Sequence, residues 1–276
     1  MSEHDLPHKN PTAIPLNKQG VWSRLWNGFL QTVGTQPFYQ TFNPWVKWLA
    51  IIAAILFVVG SIWGLAFAPS DYLQGNSYRI IFVHVPSASL AMSIYLALAV
   101  LGAISLIWKI KTASIVAQAA APVGLVLCIV ALVTGAIWGK PTWGAYWVWD
   151  GRLTSMLVLA FLYVGVVALF HAYDNTANQG KAAAILSIVG AVNLPIIKFS
   201  VVWWSTLHQG STFSLTSAPK MPPSMYMPLL ILFFAFCFLV AALVIYRSCT
   251  LILMRERHKS WVKALIAAKP VKRIKS

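Results

Sequence analysis

Charge is what this 276-residue chain has least of. Asp and Glu together number six, and charged residues of both signs make up only 10%. Ordinary soluble domains are about a quarter charged, so the composition excludes a water-facing globule. Cysteine is scarce as well. Cys128, Cys237 and Cys249 lie within or at the ends of long apolar runs and form no C-x-x-C pair, which argues against dithiol chemistry, metal clusters and structural disulfides. Each reads instead as a small apolar residue. Also missing are the ten-residue alternating strands of a membrane barrel and an N-terminal apolar core with a small-residue cleavage site. The first span is therefore expected to act as its own insertion signal. No internal repeat or low-complexity tract divides the chain.

What the chain does have is apolar length. Hydrophobic residues make up 59% and the mean hydropathy is +0.71. A helix needs about 20 apolar residues to cross a bilayer, and six runs qualify: roughly 48–68, 80–108, 115–137, 153–171, 182–203 and 225–246. The expected fold is an all-α integral membrane protein with six transmembrane helices and a tryptophan-rich external loop. Residues 1–44 read as a cytoplasmic N-terminal segment, 45–249 as the membrane domain with its aromatic loop at 138–152, and 250–276 as a basic tail. In the first segment Trp22, Leu25, Trp26 and Phe29 fall at helical spacing, the pattern of a short interfacial helix.

Lys and Arg fix the orientation. Sixteen lie in the two termini and the loops around 109–111 and 181, against four (Arg79, Lys140, Arg152 and Lys220) on the other side. Both termini are thus expected in the cytoplasm. The net charge of +15 suits anionic lipid; because these cations flank spans rather than form a folded basic face, no nucleic-acid partner is expected.

The external segments carry the unusual residues. "WGKPTWGAYWVWD", at 138–150, holds four tryptophans and a tyrosine. Two readings fit it: an aromatic belt at the headgroup level, or a platform for a large, flat, apolar ligand. Trp143 and Trp147 also stand at the spacing of one helical face, so part of the segment is expected to form an amphipathic surface helix. His84 and His208 come from different external segments but the same membrane face, and neutral imidazoles are common metal ligands, including on both sides of a haem plane. Zinc is the rival, although that face adds only Asp71 and Asp150 to the histidines. Arg79 and Arg152 suit either carboxylate recognition by the guanidinium fork or ordinary snorkelling. Asp150 is expected to have a structural role, capping the fourth helix or pairing with a neighbouring cation. Lys198 snorkels or faces the interior, and Pro195 is expected to kink the fifth helix. A transporter would place charges at midplane and show inverted repeats; an electron-transfer protein would place histidines inside the bundle. Neither pattern is present in the sequence.

Together, "WGKPTWGAYWVWDGRLTS", "FAPSDYLQGNSYRIIFVHVPSA" and "VNLPIIKFSVVWWSTLHQGST", with the six-span layout, resemble the WWD-domain haem-handling proteins of cytochrome c maturation, specifically the protein C family. The resemblance covers about residues 45–250. It implies non-covalently held haem b at the outer face of the bacterial inner membrane, with His84 and His208 as axial ligands to the iron. It further implies Trp138, Trp143, Tyr146, Trp147 and Trp149 as platform, and Arg79 and Arg152 on the propionates. Tyr146 replaces a tryptophan common in the family and keeps an aromatic surface; Lys198 stands where some members have histidine, and the resemblance gives it no haem contact. The implied partners are a periplasmic haem chaperone (protein E), which captures haem through its own histidine, the single-span protein D, and the ATP-binding-cassette proteins A and B. On this view the chain is a presenting platform and not an enzyme.

Overall fold

The computed structural model describes residues 33–172, 176–204 and 221–268, together with Gly28. The N-terminal amphipathic stretch, apart from Gly28, and His208 and Lys220 lie outside the described residues. After a short helix α1 (Thr35–Phe42) come α2 (Trp45–Ile62), α3 (Ile81–Ile107), α4 (Lys111–Trp143), α5 (Gly151–Leu169), α6 (Thr176–Gly190), α7 (Asn193–Trp203), α8 (Pro223–Arg255) and α9 (Ser260–Ala267). A π turn, Trp63–Phe67, ends α2, and a 3-10 turn, Asn76–Ile80, leads into α3. Among the described residues there is no strand, only one isolated bridge between Asp71 and Gly75.

Among the described residues, six helical stretches are long and apolar enough to cross a membrane: Trp45–Phe67, Asn76–Ile107, Lys111–Trp143, Gly151–Leu169, Gly180–Trp203 and Pro223–Arg255. The chain is an all-α, multi-pass membrane protein. Helices are the form such sequences take in lipid because every backbone donor must find its acceptor within the segment. Much of each span's apolar surface faces outward, as with Ile55, Val58 and Ile62 of α2, where acyl chains rather than protein are the natural solvent.

The helices that do pack closely use small residues. The buried face of α4 includes Ala113, Ala117, Ala120, Ala121, Gly124, Cys128 and Ala131, which lets neighbouring backbones approach. Gly124 is the point where Tyr163 of α5 crosses; a Cβ there would collide with the phenol. The Tyr163 hydroxyl donates to the Ala91 carbonyl of α3 at 2.6 Å, and its ring meets Tyr95 edge-on at 5.0 Å. One tyrosine thus ties α5 to the α3–α4 seam. α8 packs on α2, α3 and α4, whereas α6 and α7 pack on α5, with α6 also against α3.

The fifth span is broken, and not at Pro195 itself. The break falls at Ala191 and Val192, because a proline has no N–H for the carbonyl four residues earlier and its ring crowds that carbonyl. The Ala191 carbonyl instead accepts from Leu194 N–H at 3.0 Å. Asn193 then donates to the Ser155 carbonyl at 2.8 Å, anchoring the start of α7 on α5.

α4 runs farther than its hydrophobic core requires, so Trp138 and Trp143 stand on its last two turns and only the segment after Trp143 is loop. It stops at Gly144, whose φ of +79° is the left-handed conformation that favours glycine at a helix end. The expected surface helix joining Trp143 to Trp147 is therefore not formed. Asp150 begins α5 as its N-cap, accepting from Leu153 N–H at 2.7 Å.

At the opposite end of the bundle α8 continues unbroken past position 249, and α9 folds back. Glu256 accepts from Thr35 at 2.7 Å, Lys259 at 2.8 Å and Trp261 at 3.0 Å, while Trp261 packs on Tyr39 of α1. Arg255 donates to Gln118 at 2.5 Å and Arg247 to the Ala119 carbonyl at 3.1 Å. Basic side chains here join α8 to α4 as well as carrying charge.

Candidate functional site

Where α3 begins and α4 ends, the helices enclose a cleft of about 760 Å³, within the range of small-molecule and cofactor pockets. α3 contributes His84, Val85, Ser89 and Met92; α4 contributes Gly135, Trp138, Thr142 and Trp143; α7 contributes Ile197 to Phe199 with Val201 and Val202; α8 contributes Leu229, Leu230 and Phe233. Gln74 and Arg152 complete it. A recess of about 50 Å³ shares His84, Met92, Gly135, Arg152 and Ile197 with the cleft and adds Trp147.

His84 sits in the first turn of α3, half-buried, against Gly135 of α4. A Cβ on Gly135 would stand 3.0 Å from His84 Cε1, so this glycine makes room for the imidazole. His84 Nδ1 lies 3.1 Å from Thr134 Oγ1. The Thr134 hydroxyl already donates to the Val130 carbonyl at 2.6 Å, so toward His84 it can only accept. Nδ1 therefore carries the proton and the lone pair is on Nε2, the tautomer in which imidazole ligates a metal through Nε2.

Trp138 meets His84 edge-to-face at a centroid distance of 5.7 Å, and its Nε1 donates to Gln74 Oε1 at 2.8 Å. Gln74 is held by the preceding loop. Asp71 Oδ1 accepts from Leu73 and Gln74 N–H at 2.9 and 2.8 Å, and Asp71 and Gly75 exchange backbone bonds across a turn that Gly75 closes with φ of +56°. Asp71 is thus engaged in its own turn. Among the described residues no three His, Cys, Asp or Glu side chains gather around a common point.

The five aromatic residues expected to form one platform divide into three. Trp138 and Trp143 line the cleft. Trp147 reaches the recess, with its Nε1 buried and lacking a hydrogen-bond partner among the described residues, and meets Trp149 edge-on at 5.5 Å. Tyr146 and Trp149 are exposed and stand outside both walls; Lys140 Nζ lies over the Tyr146 ring at 5.4 Å. Trp203 and Trp204, at the end of α7, are exposed as well, with the Trp204 ring at Gly151 of α5.

The two arginines also separate. Arg152 lines the cleft and its recess. Arg79 donates to the Ala68 carbonyl at 2.6 Å, where the π turn leaves acceptors open, and lies off the cleft wall. His208 falls outside the described residues.

Sequence reasoning did not reach Thr134, Gly135 or Gln74, and it gave Lys198 no part in the site. Gly135 had a signal, a glycine three residues before Trp138 in an apolar helix. Gln74 and Trp138 are 64 positions apart and had none.

The chain matches the family model described as Heme exporter protein C over residues 29–263. Heme exporter protein C of Escherichia coli strain K12 is 50% identical over 242 residues, covering 88% of this chain and 98% of that relative. The Haemophilus influenzae protein of the same name is 46% identical over 78% of this chain and 88% of its own length, and that of Rhodobacter capsulatus 36% over 79% and 91%. With most of both chains aligned at such identity, this chain belongs to the Heme exporter protein C family.

Proposed function

We propose that this protein binds haem b non-covalently in the cleft and presents it to the periplasmic haem chaperone of cytochrome c maturation, without itself catalysing bond formation. The observation that carries the reading is His84: an imidazole on the wall of a cleft of haem-accommodating size, with its tautomer set by Thr134 for ligation through Nε2. The remaining lining suits the cargo. Trp138, Trp143 and the aliphatic side chains of α7 and α8 match a flat apolar ring, and Arg152 matches a carboxylate. His208, on the segment following α7, would supply the second axial bond.

The asymmetry of Lys and Arg supports a position in the bacterial inner membrane with both termini cytoplasmic and the cleft toward the periplasm. Protein D and the ATP-binding-cassette proteins A and B are the proposed assembly partners, and the exposed rings of Tyr146, Trp149, Trp203 and Trp204 are available for protein contact.

The test is the visible absorption spectrum of the protein purified in mild detergent, compared with the His84→Ala, His208→Ala double variant. A six-coordinate low-spin haem band in the parent that is lost in the variant is expected. A parent protein that takes up no haem would remove the reading, and an unchanged variant would move the haem to another site.

A further inference from the structure

Among the described residues that line the cleft, two are cationic and none is acidic. Arg152 at the start of α5 and Lys198 in the second turn of α7 both line it, and none of its lining residues is Asp or Glu. Arg152 has the charge of Asp150 nearby, although that carboxylate already accepts from Leu153 N–H. For Lys198 no hydrogen bond or ion pair is present among the described residues. The two other acids among the described residues are engaged: Asp71 in its own turn and Glu256 at the far end of the bundle.

Lys198 is exposed, but it stands within an apolar stretch, Gly180–Trp203, long enough to cross a membrane, where water is scarce for an ammonium, and a second cation lining the same cleft adds repulsion. Ionisable groups inside membrane segments are retained where they meet a partner or a substrate. Both costs fall when an anion enters the cleft that the two cations line. Lys198 stands on the α7 wall and His84 on the α3 wall of the cleft, so the two meet a ligand from different helices.

We propose that Lys198 is a binding residue for a carboxylate of the cargo, acting with Arg152 so that the cleft selects flat apolar ligands that carry acid groups. For haem the group is a propionate. This rests on the reading of the cleft as a haem site, and it replaces snorkelling toward a lipid phosphate as the role of the lysine.

The test is a titration of the full-length protein, freed of bound haem in mild detergent, with ferric haem and with its dimethyl ester, in which both propionates are uncharged. Binding is followed by visible absorption in the parent, Lys198→Gln and Lys198→Arg. In Lys198→Gln the Kd for haem should rise about tenfold, the loss of one charge-assisted hydrogen bond, while the Kd for the ester stays as in the parent. Lys198→Arg should restore haem binding. Equal haem affinity in Lys198→Gln and the parent would overturn the proposal. So would equal weakening of haem and ester, which would make Lys198 a packing or headgroup residue; the ester also reports that the variant is folded. A parent that binds neither ligand would fail the haem reading itself, whereas a parent that binds both while Lys198→Gln matches it would fail only the lysine.

Discussion

His84 and Thr134 face each other across the α3–α4 seam at 3.1 Å, and the threonine can only accept because its own proton goes to Val130. This fixes which imidazole nitrogen carries hydrogen. Thr134→Val keeps the shape and removes the acceptor, so haem affinity should fall about tenfold, the lower end of the usual effect of losing a partner behind a ligating histidine. Thr134→Ser should bind as the parent does. Haemin titration followed at the Soret band makes the comparison, and identical binding curves for Thr134→Val and the parent would disprove the link.

Gln74 acts one step farther out, through Trp138. Gln74→Leu removes the 2.8 Å acceptor of the indole N–H, worth about 1 kcal/mol net, and leaves Trp138 free to rotate away from His84. Haem dissociation, measured by transfer to an excess of apomyoglobin, should quicken about fivefold, with the low-spin band retained. An unchanged off-rate would confine Gln74 to the loop.

Gly124 tests the bundle rather than the site. Gly124→Val places methyl groups where the Tyr163 phenol lies, and overpacking of this kind costs about 1–3 kcal/mol. The thermal midpoint in detergent should drop, and Tyr163→Phe combined with it should recover part of the loss. A midpoint equal to the parent's would mean that α4 and α5 do not rest on this contact.

Glu256 gives the far end a pH dependence. Burial pushes its carboxyl up, but the hydrogen bonds from Lys259, Thr35 and Trp261, together with the Lys259 charge, outweigh that and hold it below the ordinary carboxylate range. The folded state thus favours the ionised form, so the stabilisation is complete above the ordinary carboxylate range and disappears as pH falls through the lowered folded value. The difference in thermal midpoint between parent and Glu256→Gln should be largest near neutrality and shrink in acid. A difference that stays constant with pH would show that the charge is not involved.

The six spans were legible because hydropathy reports what lipid requires, and their ends shifted only by residues at which polar and apolar mix. One feature was not legible, and another only in part, since Pro195 announced a kink but not its place. α4 continues through Trp143 because Lys140, Pro141 and Thr142 end its hydrophobic run without ending the helix; the stop comes at Gly144. The fifth span breaks before Pro195 because a proline disturbs the carbonyl behind it. Within the site, residue types were readable and their company was not. His84 and Trp138 announced themselves by chemistry, but whether Arg79 or Lys198 shares their cleft depends on the π turn that takes up Arg79 and on the register of α7.

That register has a mechanical meaning. The α7 wall of the cleft is carried by α5, and the α8 wall by α2, α3 and α4. The jaws of the cleft are mounted on different frames. Because α7 joins α6 through the broken turn at Ala191 and Val192, the direction of that wall is set by its anchor on α5, while the tyrosine-tied α3–α4 seam sets the place of His84.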